Sequence, residues 1–306
     1  VGDQIQVFCA YTPTPVCGPV GPYDVNTPVA LAFDGTYMWV AGSSVGIGMV
    51  SQLNLGGTTV TSYGSFTNPV GLAFDGSNIW VADETYPGTV TMIPAASPYS
   101  GFDAGIGAPI AVGNYPTAIV FDGSYIWVAN STDGTVTAIN GSGEIVGTYS
   151  VGMTPEALAV DSSGVLWVAN SDSNNVMRLG TFSSGGTIGQ IMTTTDVGNR
   201  PDALAFDGEH MWVGNFNDGS VTELSLNGGI MGTHALLATT DSPTGIAFDG
   251  TNIWVSTAGA SGKLYELAPS GAVLHSYAVG SNPLAVAFDG ASIWVANAGS
   301  NTVEKM

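Results

Sequence analysis

A fifteen-residue stretch that recurs seven times limits what this chain can fold into. Its clearest copy, Pro283 to Asn297, reads PLAVAFDGASIWVAN; the others start at Pro28, Pro69, Pro116, Pro155, Pro201 and Pro243. Successive prolines lie 41, 47, 39, 46, 42 and 40 residues apart, so the chain is a tandem array. Each copy holds one of the seven tryptophans: Trp39, Trp80, Trp127, Trp167, Trp212, Trp254 and Trp294.

Within a copy, the segment after the proline (Ala203 to Phe206) reads as a short strand, and Asp207-Gly208 supplies the chemistry of a tight turn. Met211 to Gly214 reads as a second strand. The apolar and polar alternation of Gly219 to Leu224 predicts a third, and segments such as Gly147 to Val151 a fourth. Four strands per period of about 40 residues describe a propeller blade. The expected fold is all-β: a seven-bladed β-propeller of four-stranded antiparallel blades. The first two strands are apolar on both faces, as sheets sandwiched between neighbours require.

The tryptophan has a mechanical role in such a ring. Facing sheets lie about 10 Å apart, so a large ring on the second strand can reach the next blade. Burying it contributes on the order of 5 kcal/mol as an upper bound. A sugar-binding platform is the functional alternative for any one ring.

Residues 1–20 do not match the repeat and form a separate N-terminal segment; residues 21–306 form one propeller. Gly21 to Pro28 resembles Ser276 to Pro283, the fourth strand and proline of another copy, yet no blade precedes it. Asn301 to Met306 is a third strand with nothing after it. The last blade is therefore expected to combine the N-terminal strand with the C-terminal strands, with Tyr23 and Val303 in one sheet, which removes open edges. The N-terminal segment contains Ile5 to Phe8, a candidate strand for pairing with a neighbouring molecule, and Cys9 and Cys17, spaced to close a small disulfide loop. A metal-binding use of those cysteines would need a second Cys or His pair nearby, and there is none. Extra residues in the second and fourth copies, Ala95 to Ile110 and Gly180 to Asp196, read as rim decorations.

Lys plus Arg number 4 against 24 Asp plus Glu, a formal charge of -20. Nucleic acid and anionic membrane surfaces are excluded as partners, because nothing neutralises phosphate. No apolar run approaches the roughly 18 residues of a membrane helix. The scarcity of bases suits an acidic medium. The first residue is Val, consistent with removal of a targeting segment, and an extracellular or cell-surface location is expected.

The repeat, Pro-x-x-[Leu/Ile/Val]-Ala-[Phe/Val]-Asp-Gly followed by Ile-Trp-Val-Ala-Asn and Asn-Thr-Val, resembles the NHL and YVTN class of propeller repeats over residues 21–306. That scaffold hosts adhesins, interaction modules, surface-layer proteins and a few enzymes. Streptogramin lyases share the architecture and use histidine and glutamate near the central channel with a divalent cation. Here His210 lies in a first-to-second-strand turn, and His234 and His275 in outer strands. None is expected on an inner strand with a glutamate partner, so no catalytic residue transfers. No acidic constellation like the calcium cluster of propeller lactonases is expected on the inner strands.

The seven turn aspartates Asp34, Asp75, Asp122, Asp161, Asp207, Asp249 and Asp289 are expected about 10 Å apart, too far for one calcium ion, which needs oxygens at about 2.3–2.6 Å. They read as caps on turn amides. No metal or other cofactor is expected. Binding residues are sought in the loops between strands two and three and before each proline, which share one face. There the copies vary most: Asp83, Glu84, Tyr86, Tyr115, Asp133, Asp172, Arg200, Phe216, Asp218 and Asp241. The preferred function is a non-enzymatic extracellular scaffold that binds a protein partner through this face or assembles with itself. The alternative is a channel-site lyase or hydrolase.

Overall fold

The computed structural model describes residues 25–44, 47–95, 105–236 and 241–306. Ile5 to Phe8, Cys9, Cys17 and Tyr23 lie outside them, as does most of the second-copy insertion. Among the described residues the chain forms six four-stranded sheets and one three-stranded sheet, all antiparallel meanders. The inner strands are Pro28–Phe33, Pro69–Phe74, Pro116–Phe121, Pro155–Val160, Pro201–Phe206, Pro243–Phe248 and Pro283–Phe288. Each inner strand touches the inner strands of its two neighbours, and the last touches the first, so the seven blades close a ring. This is the all-β, seven-bladed propeller the repeat predicts.

The second strands, such as Tyr125–Asn130 and Leu166–Asn170, are buried on both faces. The inner strands are less enclosed than their composition suggests: Pro283–Phe288 is buried at its proline and half-buried thereafter. One edge of every inner strand faces the central axis, where no further sheet covers it.

Six tryptophans are fully buried, and Trp254 is partly exposed. Each packs on the second strand of the following blade: Trp39 clusters with Ile79 and Val81, Trp127 with Leu166 and Val168, and Trp294 with Met38 and Val40. The other face of the ring is covered within its own blade. Tyr63, Tyr149, His234 and Tyr277 lie 5.6–5.9 Å from Trp39, Trp127, Trp212 and Trp254. Arg178 and Lys305 cover Trp167 and Trp294 at 4.9 and 4.8 Å.

The turn aspartates have a second partner that the repeat did not disclose. One oxygen caps two turn amides, as Asp122 does for Ser124 and Tyr125. The other accepts the indole Nε1–H of its own blade at 2.7–2.9 Å in all seven copies. Burial raises Asp75 and Asp289, but their hydrogen bonds outweigh it and hold both below the usual carboxylate range; Lys305, at 2.9 Å, adds to those of Asp289.

The seam joins the two ends of the described chain. Thr27 donates its backbone N–H to Asn301 Oδ1 at 2.9 Å, and Val25 is buried with Trp294 and Val303. The fourth-copy insertion folds onto the neighbouring blade: Phe182 meets Tyr125 edge-on at 6.1 Å, and the Ser183 hydroxyl lies 3.1 Å from that of Ser124.

Candidate functional site

The pre-proline loops and the loops between strands two and three form a crown around one mouth of the central channel. In every blade the register of the inner strand slips at the residue after the proline: Val29, Val70, Thr117, Glu156, Asp202, Thr244 and Leu284. A bulge leaves that residue out of the ladder and re-aims its side chain. All seven are half-buried, and all the prolines before them are buried. The residue before the proline is left-handed in five blades, at Thr27, Tyr115, Thr154, Arg200 and Asn282, with φ between 43° and 55°. Such geometry is uncommon outside glycine and persists only where its surroundings enforce it. Here the left-handed residue's own carbonyl is pinned: those of Tyr115, Thr154 and Arg200 accept from the backbone N–H groups of Ser131, Ser171 and Phe216.

The crown is lopsided. Blades six, seven and one contribute Thr244, Leu284 and Val29 at the bulge, whereas blades four and five contribute Glu156 and Asp202. Two carboxylates thus sit at equivalent places on neighbouring inner strands. Ser131 of blade three lies 3.4 Å from Glu156 of blade four, and Ser171 of blade four donates to Asp202 of blade five at 2.9 Å. Burial, with the nearby charge of Asp202, pushes Glu156 up to about 7, against the Ser131 hydrogen bond and Arg200; Glu84, two blades away, adds a smaller push. Burial also raises Asp202, opposed by Ser171 and Arg200, and raises Glu84.

Arg200 lies 3.0 Å from Asp202 and 4.3 Å above the Phe216 ring. Beside it, Ser171, Asp172, Asn174, Asn199, Arg200, Asn217 and Asp218 line an open cleft of about 410 Å³. Tyr86 and Tyr115 form an exposed ring pair at 6.3 Å. Their loops are tied together: Tyr115 N–H donates to the Thr85 carbonyl, and the Thr85 hydroxyl to that of Pro87. Glu84 accepts from the Asn68 amide at 2.8 Å.

Several loop residues singled out by variation hold the loops themselves. Asp83 is buried at the end of its strand and accepts the Thr67 and Asn68 backbone N–H groups. Asp133 and Asp218 each accept from the backbone and side chain of an asparagine, Asn114 and Asn199. Asp172 accepts from Thr154, and Asp241 pairs with Lys263 at 2.8 Å and accepts from Tyr265. Glu156 and Asp202 escaped the loop criterion because they lie inside strands. The signal that finds them is their shared place, the first variable position after the proline.

All three histidines lie away from this mouth, on the side of the Asp-Gly turns, and two glutamates accompany them. Glu223 lies 3.3 Å from His210 and 3.4 Å from His234, and Glu266 lies 2.9 Å from His275. These glutamates are on third strands, Ser220–Ser225 and Lys263–Leu267. No group of three His, Cys, Asp or Glu side chains arranged for a metal ion occurs among the described residues.

No protein-family model matches the chain, and no curated protein matches it. Solved structures do. Virginiamycin B lyase from Staphylococcus aureus is 20% identical with a TM-score of 0.73, over 90% of this chain and 93% of that one. Hydrazine synthase of Kuenenia stuttgartiensis is 17% identical with a TM-score of 0.76, over 97% and 98%. U3-55K is 12% identical with a TM-score of 0.74, over 96% and 92%. A lyase, a synthase and U3-55K thus align with this chain over nine-tenths or more of their lengths, and what they share with it is the propeller fold.

Proposed function

We propose that the protein is a non-enzymatic interaction module, of the NHL and YVTN repeat kind, that holds a protein partner on the crown of blades two to five and works outside the cell. One observation carries this reading: a uniform scaffold presents a lopsided mouth, with Glu84, Tyr86, Tyr115, Glu156, Arg200, Asp202 and Phe216 gathered on one arc. Loops and bulges on a rigid ring are where such scaffolds place recognition. The histidine and glutamate pairs lie at the other side of the ring, which weighs against a lyase centre built at this mouth. The surplus of carboxylates over bases supports an extracellular, acidic setting.

Photo-crosslinking of the protein to the extracellular fraction of its native source tests the proposal. Crosslinks are expected to concentrate on the crown and to be lost in Arg200→Ala/Phe216→Ala or Tyr86→Ala/Tyr115→Ala. The opposite-face pair Glu144→Gln/Glu209→Gln should leave them intact. Crosslinks indifferent to both crown variants, or turnover of a streptogramin in the presence of a divalent cation, would replace this reading with another surface or with the enzyme alternative.

A further inference from the structure

Within the crown, the chain displays one complete recognition unit and one incomplete copy of the same chemistry. In the complete unit a guanidinium, Arg200, lies 4.3 Å above an aromatic ring, Phe216, and 3.0 Å from a carboxylate, Asp202. The incomplete unit lies across blades two to four. Its rings are Tyr86 and Tyr115, 74% and 43% exposed, and its carboxylates are Glu84 and Glu156. The parts are contiguous: Tyr115 N–H bonds Thr85 O, Ser131 N–H bonds Tyr115 O, and the Ser131 hydroxyl reaches Glu156. No lysine or arginine of this chain stacks on these rings or pairs with these carboxylates; Arg200, whose charge reaches Glu156, is engaged by Asp202 and Phe216. The four cations are Arg178 and Lys305 on tryptophans, Lys263 on Asp241 and Arg200 itself.

We infer that the partner supplies the missing cation: an arginine side chain of a protein partner stacks on the Tyr86 and Tyr115 pair with its guanidinium turned to Glu84 and Glu156. Charge complementarity argues for this occupant. The chain carries -20, the two glutamates are held partly out of water, and a planar cation satisfies both requirements of the site, a π face and carboxylates, at once. Because hydrogen bonds already fix the tyrosine loops, little ordering opposes binding. A cation arriving there also relieves the repulsion among Glu84, Glu156 and Asp202.

The inference rests on the crown being the partner face, and its test separates the two. An N-acetylated, amidated Gly-Arg-Gly-Arg-Gly peptide is titrated into the ¹⁵N-labelled protein, with lysine and glutamate versions alongside. Saturable shifts are expected at Glu84, Tyr86, Tyr115 and Glu156, weaker for lysine and absent for the glutamate peptide. Tyr86→Ala/Tyr115→Ala and Glu84→Gln/Glu156→Gln should each weaken the arginine peptide by about tenfold. Glu144→Gln/Glu209→Gln, which removes as much charge from the opposite face, should leave it unchanged. Both tyrosines are exposed, so the spectrum of their variant reports folding directly. Shifts spread evenly over the acidic surface, equal binding of the lysine peptide, or binding that survives the tyrosine variant would overturn the inference. Partner crosslinks lost in Arg200→Ala/Phe216→Ala but kept in Tyr86→Ala/Tyr115→Ala would leave the crown as the partner face and remove arginine capture alone.

Discussion

At the scale of single residues, the aspartate before each turn glycine is bonded in two directions at once. It caps the turn and accepts the indole N–H, so one carboxylate locks the strand reversal to the ring that spans to the next blade. A hydrogen bond to a charged acceptor in a poorly hydrated site is worth about 1.5–3 kcal/mol. Asp122→Asn sets an amide against the indole donor and is expected to cost about 2 kcal/mol in urea unfolding. Asp249→Asn should cost clearly less, because Trp254 is the one partly exposed member. Equal losses at the two positions would mean that burial does not set the strength of the pair. A glycine carries a comparable constraint: a Cβ at Gly152 would lie 2.6 Å from the Asn170 side chain, whose Oδ1 accepts the Gly152 N–H at 3.1 Å. Gly152→Ala is expected to cost at least about 1–3 kcal/mol by overpacking, and a wild-type melting temperature in that variant would refute the contact.

At the scale of elements, the blade is legible in the sequence and the bulge is not. Apolar alternation and the Asp-Gly turns place the strands, because pairing faces and turn conformations depend on neighbours a few residues apart. The register slip after each proline depends on how the inner strand leaves its loop, so Glu156 and Asp202 read as ordinary strand residues. The tryptophan and aspartate pair left a trace: the fourth copy has a turn one residue longer, and its tryptophan follows Asp161 by six residues rather than the five of the other copies. The same scale contains the seam. Val303 is fully buried against Val25 and Trp294, so Val303→Ala is expected to cost about 2 kcal/mol, matching Val136→Ala within a covalently continuous blade. A silent Val303→Ala beside a costly Val136→Ala would show that the seam is not packed like the other blades.

At the scale of the whole molecule, two sets of carboxylates pull stability in opposite directions with pH. Glu156 and Glu304 are raised to about 7, both first by burial. The unfolded chain releases those protons more readily, so folding weakens as pH climbs from the ordinary glutamate range to about 7. Asp75, Asp241 and Asp289 are lowered, so their contribution is present above the usual aspartate range and is lost on further acidification. The melting temperature is expected to peak at about pH 4, between the ordinary aspartate and glutamate values where neither window has begun to cost stability. Glu156→Gln should flatten its alkaline limb. A melting temperature that rises steadily to pH 8 would remove this account and, with it, support for an acidic working environment.

The period, the turn chemistry and one indole per copy were enough to determine the ring, since each describes interactions repeated identically around an axis, and repetition is visible in one dimension. The site is the departure from that symmetry. Which of seven equivalent positions carry acids, rings or a cation can be read off the chain, but whether they meet cannot. Glu84 and Glu156 are 72 residues apart in the chain and share one mouth only because blades two, three and four stack inner strand against inner strand. Blade stacking is a tertiary event, and it decided which residues share that mouth.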